Sequence, residues 1–208
     1  MDKDKVNERM VFIVDDNPAI RDSVRWLVQQ VGLKPKTYNS AQEFLNSYNP
    51  EMRGCLVLDI RMPGMSGLEL QDRLAKLESK LPIIIITGHG DIPITVRAMK
   101  AGAYEFLQKP FNDQALLDSI QGGLDKYEEI WQQEDKRKLA SQSLSSLTPR
   151  EREVLELLRQ GKSNKLIARE LNLSVRTVEG HRANLVEKVE AKSLGQLIEL
   201  VIKSDENI

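Results

Sequence analysis

A chain of 208 residues is long enough for two domains, and its 40% hydrophobic and 29% charged residues are typical of an ordinary globular protein. No apolar run approaches the roughly 20 residues that span a bilayer, and the charged start lacks a signal-peptide core, so we expect a cytoplasmic protein with no membrane contact. The single cysteine, Cys55, excludes an internal disulfide, and the net charge of −1 favours no class of partner.

Residues 11–121 alternate between short apolar runs and longer amphipathic stretches. This alternation predicts an α/β domain, a doubly wound five-stranded parallel sheet with helices on both faces. The predicted strands are 11–14, 34–38, 56–59, 83–87 and 105–107, and the predicted helices are 18–31, 41–47, 66–78, 91–102 and one from 112 onward.

After residue 121 the strand signals stop. Leu124, Tyr127 and Trp131 recur at helical spacing, so we expect the last helix of the first domain to continue, exposed, into a linker, although Gly122 and Gly123 weaken its continuity. The serine-rich stretch 141–146 predicts a flexible joint. The predicted divisions are a first domain at 9–123, a helical and serine-rich linker at 124–146, and a second domain at 147–205.

The tail from residue 147 has the start and stop signals of an all-α domain with four helices. Thr148 and Glu151 have the spacing of a capping box, with Pro149 at the first helical position. Two short helices around the turn 171–174 predict a helix-turn-helix, although a plain helical bundle would have the same helix count. Further caps and stops are predicted at Gly161, Ser163, Asn172, Ser174 and Ser193.

Charge in the tail adds a modest indication of nucleic-acid binding. Between residues 159 and 182, six basic side chains face only two acidic ones, Glu170 and Glu179, an excess of four positive charges. A solvated helical surface would explain this pattern about equally well.

Reactive side chains follow the predicted strands at the edge where a parallel sheet binds its ligands. Asp15 and Asp16 follow the first strand, Asp59 ends the third, Thr87 ends the fourth, and Lys109 comes after the fifth. Three converging carboxylates would repel one another without a cation, and oxygen ligands favour Mg²⁺, with Mn²⁺ as the alternative. Acids, a cation, a hydroxyl and a lysine suit phosphoryl transfer, with Asp59 as the nucleophile.

These residues resemble a known pair of domains. The pair Asp15-Asp16, the motif D-x-R-M-P-G from Asp59, Thr87 and Lys109-Pro110 resemble a bacterial response-regulator receiver domain. Residues 147–204 resemble the LuxR-type helix-turn-helix. The pairing of the two domains is similar to FixJ/NarL-family transcription factors, and the resemblance covers nearly the whole chain. The resemblance implies a flavodoxin-like strand order of 2-1-3-4-5.

The resemblance also implies roles for single residues of the first domain. Asp59 would accept a phosphoryl group from a cognate sensor histidine kinase, and the backbone carbonyl of Arg61 would join Asp15, Asp16 and Asp59 as a ligand of Mg²⁺. Thr87 and Lys109 would bind phosphoryl oxygens, and Phe106 would be the switch aromatic. His89 would tune the lifetime of the phosphate, unless it is simply an exposed loop histidine.

Output would follow from dimerisation. In the family the helix 91–102 and the fifth strand form the dimer face, and we expect Ile92, Val96 and Lys100 to make contacts there. The phosphorylated homodimer would bind promoter DNA and act with RNA polymerase.

The helix predicted at 174–189 would enter the major groove. Helical periodicity puts Val175, Val178, Leu185 and Val189 toward the domain core. The resemblance places base contacts at Glu179, Gly180 and Ala183, with Gly180 smaller than the residue common there. The remaining expected DNA-binding residues are Arg176 and Asn184 on the exposed side, and Lys165, Thr177, His181 and Arg182 toward the phosphates, although His181 is equally compatible with the edge of the core.

Two other classes of protein remain open. A haloacid-dehalogenase-type phosphatase also uses an aspartate nucleophile with Thr, Lys and Mg²⁺, but it expects D-x-D on its first strand, whereas Asp59 is on the third and is followed by Ile-Arg. A constitutive DNA-binding or scaffold protein with an inactive receiver would not need the intact acid set. We therefore expect no enzyme activity beyond self-phosphorylation and slow dephosphorylation.

Overall fold

The computed structural model of the protein describes residues 9–88, 92–188 and 195. The chain divides into two compact units, Met1–Ile130 and Trp131–Ile208. No helix within the described ranges is both long and apolar enough to cross a bilayer.

The first unit is built on a five-stranded parallel sheet in the order β2-β1-β3-β4-β5. This confirms the predicted fold class and the strand order implied by the resemblance. The strands are β1 (Met10–Val14), β2 (Lys34–Tyr38), β3 (Gly54–Asp59), β4 (Ile83–Thr87) and β5 (Glu105–Gln108). The helices are α1 (Pro18–Gln30), α2 (Ala41–Ser47), α3 (Gly67–Lys76), α4 (Ile92–Lys100) and α5 (Asp113–Ser145).

The central strands are apolar because both of their faces are covered. Every residue of β3 and β4 is buried, and side chains of α1 and α5 pack on one face of the sheet. The edge strand β2 instead alternates between exposed and covered positions, and its lysines lie on the exposed side. Burial on both faces explains why β3 and β4 read as continuous apolar runs.

Side-chain caps fix where the helices of this unit begin. The Asn17 side chain accepts a hydrogen bond from Ala19 N at the start of α1, and Ser40 does the same for Glu43 N at α2. Ser66 and Glu69 form a capping box at the start of α3. Each cap satisfies a backbone N–H that the first turn of a helix leaves without a partner.

The register of the sheet brings two carboxylates side by side. Val14 lies opposite Leu58 where β1 pairs with β3, so Asp15 follows directly beside Asp59 at the carboxyl end. Thr87 ends the neighbouring strand β4, and its carbonyl accepts a hydrogen bond from Lys109 N at 2.8 Å. The backbone thus gathers residues from four separate parts of the chain at one edge.

Helix α5 differs from the expectation in two respects. Gly122 and Gly123 lie inside α5 and do not break it. Both glycines pack closely against the rest of the unit: a Cβ at Gly122 would lie 2.4 Å from the Tyr104 hydroxyl oxygen, and Gly123 lies beside Cys55 and Ile84. Leu124 and Tyr127 are not exposed but buried, so the packed part of α5 extends past residue 123.

The predicted flexible joint at 141–146 is wrong for its first five residues, because α5 continues as helix to Ser145. Serine is only modestly less favourable than alanine in a helix, by about 0.5 kcal/mol per residue. Neither glycine nor proline occurs between residues 124 and 148. The composition that suggested a joint therefore contains no strong helix breaker.

The described part of the second unit has the predicted helix-turn-helix. It contains α6 (Pro149–Arg159), α7 (Asn164–Glu170) and α8 (Val175–Lys188) around a core formed by Leu147, Val154, Leu155, Leu158, Ile167, Ala168, Val178 and Leu185. Thr148 and Glu151 form the predicted capping box, and Ser163 caps α7. Gly161 and Asn172, each two residues after the end of α6 or α7, have positive φ angles of 73° and 53°, which reverses the chain there.

One predicted core position on α8 is wrong. Val178 and Leu185 are buried as expected, but Val175 is 38% exposed because it is the first residue of the helix and no turn precedes it to cover it. Val189 and the fourth helix predicted from Ser193 lie outside the described residues, except for residue 195, which is helical.

Candidate functional site

A lysine holds two buried carboxylates at the carboxyl end of the sheet. Lys109 Nζ lies 2.6 Å from Asp15 Oδ2 and 3.0 Å from Asp59 Oδ1. Asp15 and Asp59 are almost fully buried, whereas Asp16 is exposed. One cation therefore serves two carboxylates that come from different strands.

Backbone groups orient both buried acids. Asn17 N donates to Asp15 Oδ1 at 2.8 Å, and Arg61 N donates to Asp59 Oδ2 at 3.1 Å. The Arg21 guanidinium also donates to the Asp15 carbonyl at 2.6 Å. The side chains therefore have fixed positions before any ligand binds.

The loop after Asp59 depends on a glycine that the sequence analysis did not single out. Gly67 N donates to the Ile60 carbonyl at 2.9 Å, and a Cβ at Gly67 would lie 2.1 Å from the carbonyl oxygen of Asp59. A larger residue would push the start of α3 away from the end of β3. Gly67 thus holds the loop 60–66 against the acidic site.

The pKa of Asp59 is raised above its ordinary value, chiefly because burial removes water from its carboxylate. The Asp15 charge acts in the same direction. Lys109 and the Arg61 N–H oppose the rise without cancelling it. The charge on Asp59 is thus incompletely compensated by the protein alone.

The acidic residues have the donor chemistry of a divalent-cation site. One carboxylate oxygen each from Asp15, Asp16 and Asp59 lie within 4.8 Å of one another. Hard oxygen donors at this spacing suit Mg²⁺ or Mn²⁺, and an added positive charge would compensate Asp59. Arg61 is two residues after Asp59 in the chain. The role of its backbone carbonyl as a further ligand of the cation stays a prediction.

The other predicted residues of the first unit are spread around this site. Thr87 is buried at the end of β4, and Phe106 is half-buried on β5. His89 lies outside the described residues. On α4, Ile92 is 79% exposed, and Val96, Met99 and Lys100 are exposed too, so the described part of the helix presents apolar side chains to solvent.

The predicted DNA-binding residues of the second unit lie mostly on an exposed surface. His181 and Arg182 are half-buried, which places them beside the exposed face. Arg182 donates to the Asn164 side chain and so connects α8 to α7. The exposed members of the set are Lys165, Arg176, Thr177, Glu179, Gly180, Ala183 and Asn184.

An ion pair between a buried glutamate and a partly exposed lysine, which the sequence analysis missed, connects α6 to the end of α8. Lys188 Nζ donates to Glu151 Oε2 at 2.8 Å, and the same oxygen accepts from Thr148 N at 2.8 Å and from Thr148 Oγ1 at 2.9 Å. These donors, the Lys188 ammonium first, hold the pKa of Glu151 at about 2. The neighbouring Arg150 guanidinium donates to the Leu171 carbonyl in the turn before α8.

Contacts from α6 thus reach the turn between α7 and α8 and the last residue of α8. The capping-box spacing predicted the bond from Thr148 to Glu151. Lys188 lies 37 residues further along the chain, and no local spacing predicts a partner that distant.

Both units match known protein families. Residues 11–121 match the model of the response regulator receiver domain, and residues 145–201 match that of bacterial regulatory proteins of the luxR family.

Similar proteins match along nearly the whole chain. The transcriptional regulatory protein FixJ of Azorhizobium caulinodans is 43% identical over 192 residues, which are 92% of this chain and 91% of FixJ. Nodulation protein W of Bradyrhizobium diazoefficiens is 45% identical over 193 residues, 92% of this chain and 84% of that protein. The solved structure of the response regulator StyR, at low resolution, is 48% identical with a TM-score of 0.84, and the match covers 95% of this chain and 100% of StyR.

The structure agrees with these matches: the parallel sheet with acids at its edge lies in the first matched region, and the helix-turn-helix lies in the second. The chain therefore belongs to the FixJ-like response regulators, transcriptional regulators of two-component systems in which a receiver domain precedes a LuxR-type DNA-binding domain.

Proposed function

We propose that the protein is a phosphorylation-dependent switch in which Asp59 accepts a phosphoryl group from a cognate sensor histidine kinase. The observation that carries this proposal is the placement of Asp59, a buried and incompletely compensated carboxylate that lies beside Asp15 and shares Lys109 with it. Since its proposed partners are a sensor kinase and promoter DNA, the protein would act in the cytoplasm.

Phosphoryl transfer would use groups that the fold already positions. An Asp59 carboxylate oxygen would attack phosphorus, forming a P–O bond as the P–N bond of phosphohistidine breaks and the imidazole leaves. Lys109 would pair with the phosphoryl oxygens, and Thr87 would donate a hydrogen bond to them. Asp15, Asp16, Asp59 and the carbonyl of Arg61 would hold Mg²⁺, which supplies charge neutralisation when bound.

Phosphorylation would act by shifting a population of conformations. Thr87 would move toward the phosphoryl group, and half-buried Phe106 would turn into the space that this movement leaves. The affected surface would be α4 with β5, where exposed Ile92 and Val96 offer apolar contacts to a second copy of the chain. The homodimer would then present two α8 helices to promoter DNA and act with RNA polymerase.

The DNA-reading surface would be the exposed side of α8. Glu179 would accept a hydrogen bond from a cytosine amino group, and Ala183 would contact a thymine methyl. Lys165, Arg176, Thr177 and Asn184 would contact the DNA around these positions, with His181 and Arg182 beside them. Phosphate contacts fix the register of the helix on DNA and carry no sequence information.

The test is phosphorylation by a small phosphodonor with Mg²⁺, followed by analysis of the adduct and of mass in solution. Wild type should take up one acid-stable, base-labile phosphoryl group and change from monomer to dimer, and Asp59→Asn should do neither. Asp118→Asn, at an exposed site on α5, is the matched control and should behave as wild type. Full labelling of Asp59→Asn would refute the assignment of the acceptor.

The same experiment separates the switch from the alternatives. A phosphatase of the haloacid-dehalogenase type would turn over many equivalents of phosphodonor, whereas a switch retains one. A protein with an inactive receiver would show no adduct and the same DNA binding with and without phosphodonor. We propose that the protein has no enzyme activity beyond its own phosphorylation and slow dephosphorylation.

A further inference from the structure

Gly180 is an unfavourable residue in an otherwise regular helix. It lies in the middle of α8, between Glu179 and His181, and it is exposed. Apart from proline, glycine is the least favourable residue in a helix interior, because folding removes more backbone freedom from it than from any other residue. A residue with this cost calls for a local or an external reason.

The described protein atoms supply no local reason. Gly180 does not have a positive φ angle, unlike five other described glycines. A Cβ built at Gly180 would meet nothing within 4 Å among the described residues, whereas one at Gly67 or Gly122 would clash with a neighbour. Alanine or valine would therefore fit at residue 180 without displacing any described part of the protein.

The surroundings of Gly180 indicate an external reason. One helical turn before and after it on the same face lie Arg176 and Asn184, both exposed. A cation and an amide at this spacing are side chains that contact phosphates and base edges in DNA complexes. The missing side chain therefore lies in the centre of the surface that the proposed function directs at the major groove.

We infer that Gly180 is a specificity-determining residue whose missing side chain makes room for the C5-methyl group of a thymine. The peptide groups of a helix interior are engaged in helical hydrogen bonds, so the bare backbone at residue 180 offers an apolar contact. The thymine methyl is the apolar group that base pairs expose in the major groove. This inference rests on the proposed role of α8 in reading DNA.

The experiment uses the full-length phosphorylated protein and compares DNA selection by wild type, Gly180→Ala and Gly180→Val. We expect wild type to select a thymine that both variants no longer prefer, and Gly180→Val to bind the wild-type sequence about tenfold more weakly. Glu156→Gln, at an exposed site on α6 outside the helix-turn-helix, is the control and should select the wild-type sequence. The thermal midpoint of Gly180→Ala should not fall, since alanine favours the helix.

A base analogue tests the identity of the contacted group. Replacing the selected thymine by deoxyuridine removes only the methyl, so it should weaken wild type and restore part of the affinity of Gly180→Val. The inference is overturned if both variants select the wild-type sequence and bind it within about twofold of wild type, or if deoxyuridine changes neither protein. If wild type itself selects no sequence, the proposed role of α8 fails as well, which distinguishes the two outcomes.

Discussion

The two units each hold a buried carboxylate against a lysine, and the two carboxylates respond in opposite directions. In the receiver, Lys109 is shared between Asp15 and Asp59, and the pKa of Asp59 stays above its ordinary value because burial outweighs the lysine. In the DNA-binding unit, Glu151 has Lys188 and the Thr148 backbone and hydroxyl as donors, and its pKa is about 2. Glu151 is the less exposed of the two only by a small margin, 3% against 4%.

The exposed fractions are nearly equal, but desolvation by burial is the largest influence on the pKa of Asp59, whereas at Glu151 it is outweighed by the hydrogen bond from Lys188. The two sites also differ in the number of donors per carboxylate and in the presence of a second acid. Glu151 does not share its lysine with another described carboxylate, and its Oε2 accepts three hydrogen bonds, so it is suited to a structural role. Asp59 has a competitor for its lysine and an incompletely compensated charge, so it is suited to bind a cation or react with phosphorus.

The largest effect should come from removing the shared lysine. Lys109→Met leaves Asp15 and Asp59 side by side without a cation, and we expect it to cost the receiver about 3 kcal/mol at pH 7 without divalent metal. Hydrogen exchange of peptides from β1 and β3 in chelator would measure this loss. The matched control is Lys126→Met, an exposed lysine paired with Glu129, which should change stability by less than about 0.5 kcal/mol. Equal protection in wild type and Lys109→Met would contradict the comparison.

Removing the charge of Glu151 should have the next largest effect, and it should depend on pH. The folded-state pKa of about 2 lies below the unfolded value of 4.5, so the ionised carboxylate stabilises the fold above pH 4.5, and this contribution is lost as the pH falls toward 2. Since Lys188 is partly exposed, we expect Glu151→Gln to cost about 2 kcal/mol at pH 7.

Hydrogen exchange of α6 and α8 from pH 7 downward measures this contribution. The difference between wild type and Glu151→Gln should shrink below pH 4.5. The control is Glu153→Gln, which removes an exposed carboxylate paired with Arg150 and should cost less than about 0.5 kcal/mol. A difference that stayed constant with pH would show that the charge of Glu151 is not what stabilises the unit.

Added Mg²⁺ should affect the receiver alone. A ligand at ten times its dissociation constant stabilises the folded state by about 1.4 kcal/mol. We expect this gain in β1 and β3 of wild type, a smaller one in Asp16→Asn, and none in α6 to α8, where Glu151 already has its donors. Hydrogen exchange resolved by domain measures the gain in each unit. Equal stabilisation of both units by Mg²⁺ would mean that the acids of the receiver are not the binding site.

The smallest effect should be a gain in stability. The pKa of Asp59 is higher in the folded state than the unfolded value of 3.8, so protonation of Asp59 favours the folded state. This contribution to the free energy of unfolding is complete below pH 3.8 and is lost as the pH rises through the folded-state pKa. At pH 7 without divalent metal, Asp59→Asn removes a carboxylate whose ionisation costs stability, and we expect the receiver to gain about 0.5 kcal/mol. Thermal unfolding in chelator measures the change. Mg²⁺ should reverse the order of the two proteins, and a loss of stability in chelator would contradict the raised pKa.

Much of the fold follows from local patterns. The bounds of β2 and α2 agree with the predicted ranges 34–38 and 41–47, because turns and caps beside them are encoded within a few residues. The placement of Asp15 and Asp59 at one edge also follows from the chain, since parallel strands end on the same side of a sheet. Patterns of this kind need only neighbours in sequence and the geometry of regular elements.

Contacts between distant segments decided what these patterns did not. Local propensity predicted a weak helix at Gly122 and Gly123, yet Tyr104 and Cys55 pack against them and the helix continues. Helical periodicity put Val175 in the core, yet its place at the first turn leaves it exposed.

The sequence by itself determined the elements, their order and the reactive residue types at the strand ends. The tertiary structure alone decided that Lys109 is shared by two acids and that Glu151 has a lysine of its own. The physical reason is that the pKa of a buried carboxylate depends on every donor and charge within a few ångströms. Those neighbours come from segments 37 to 94 residues away, which no local pattern specifies.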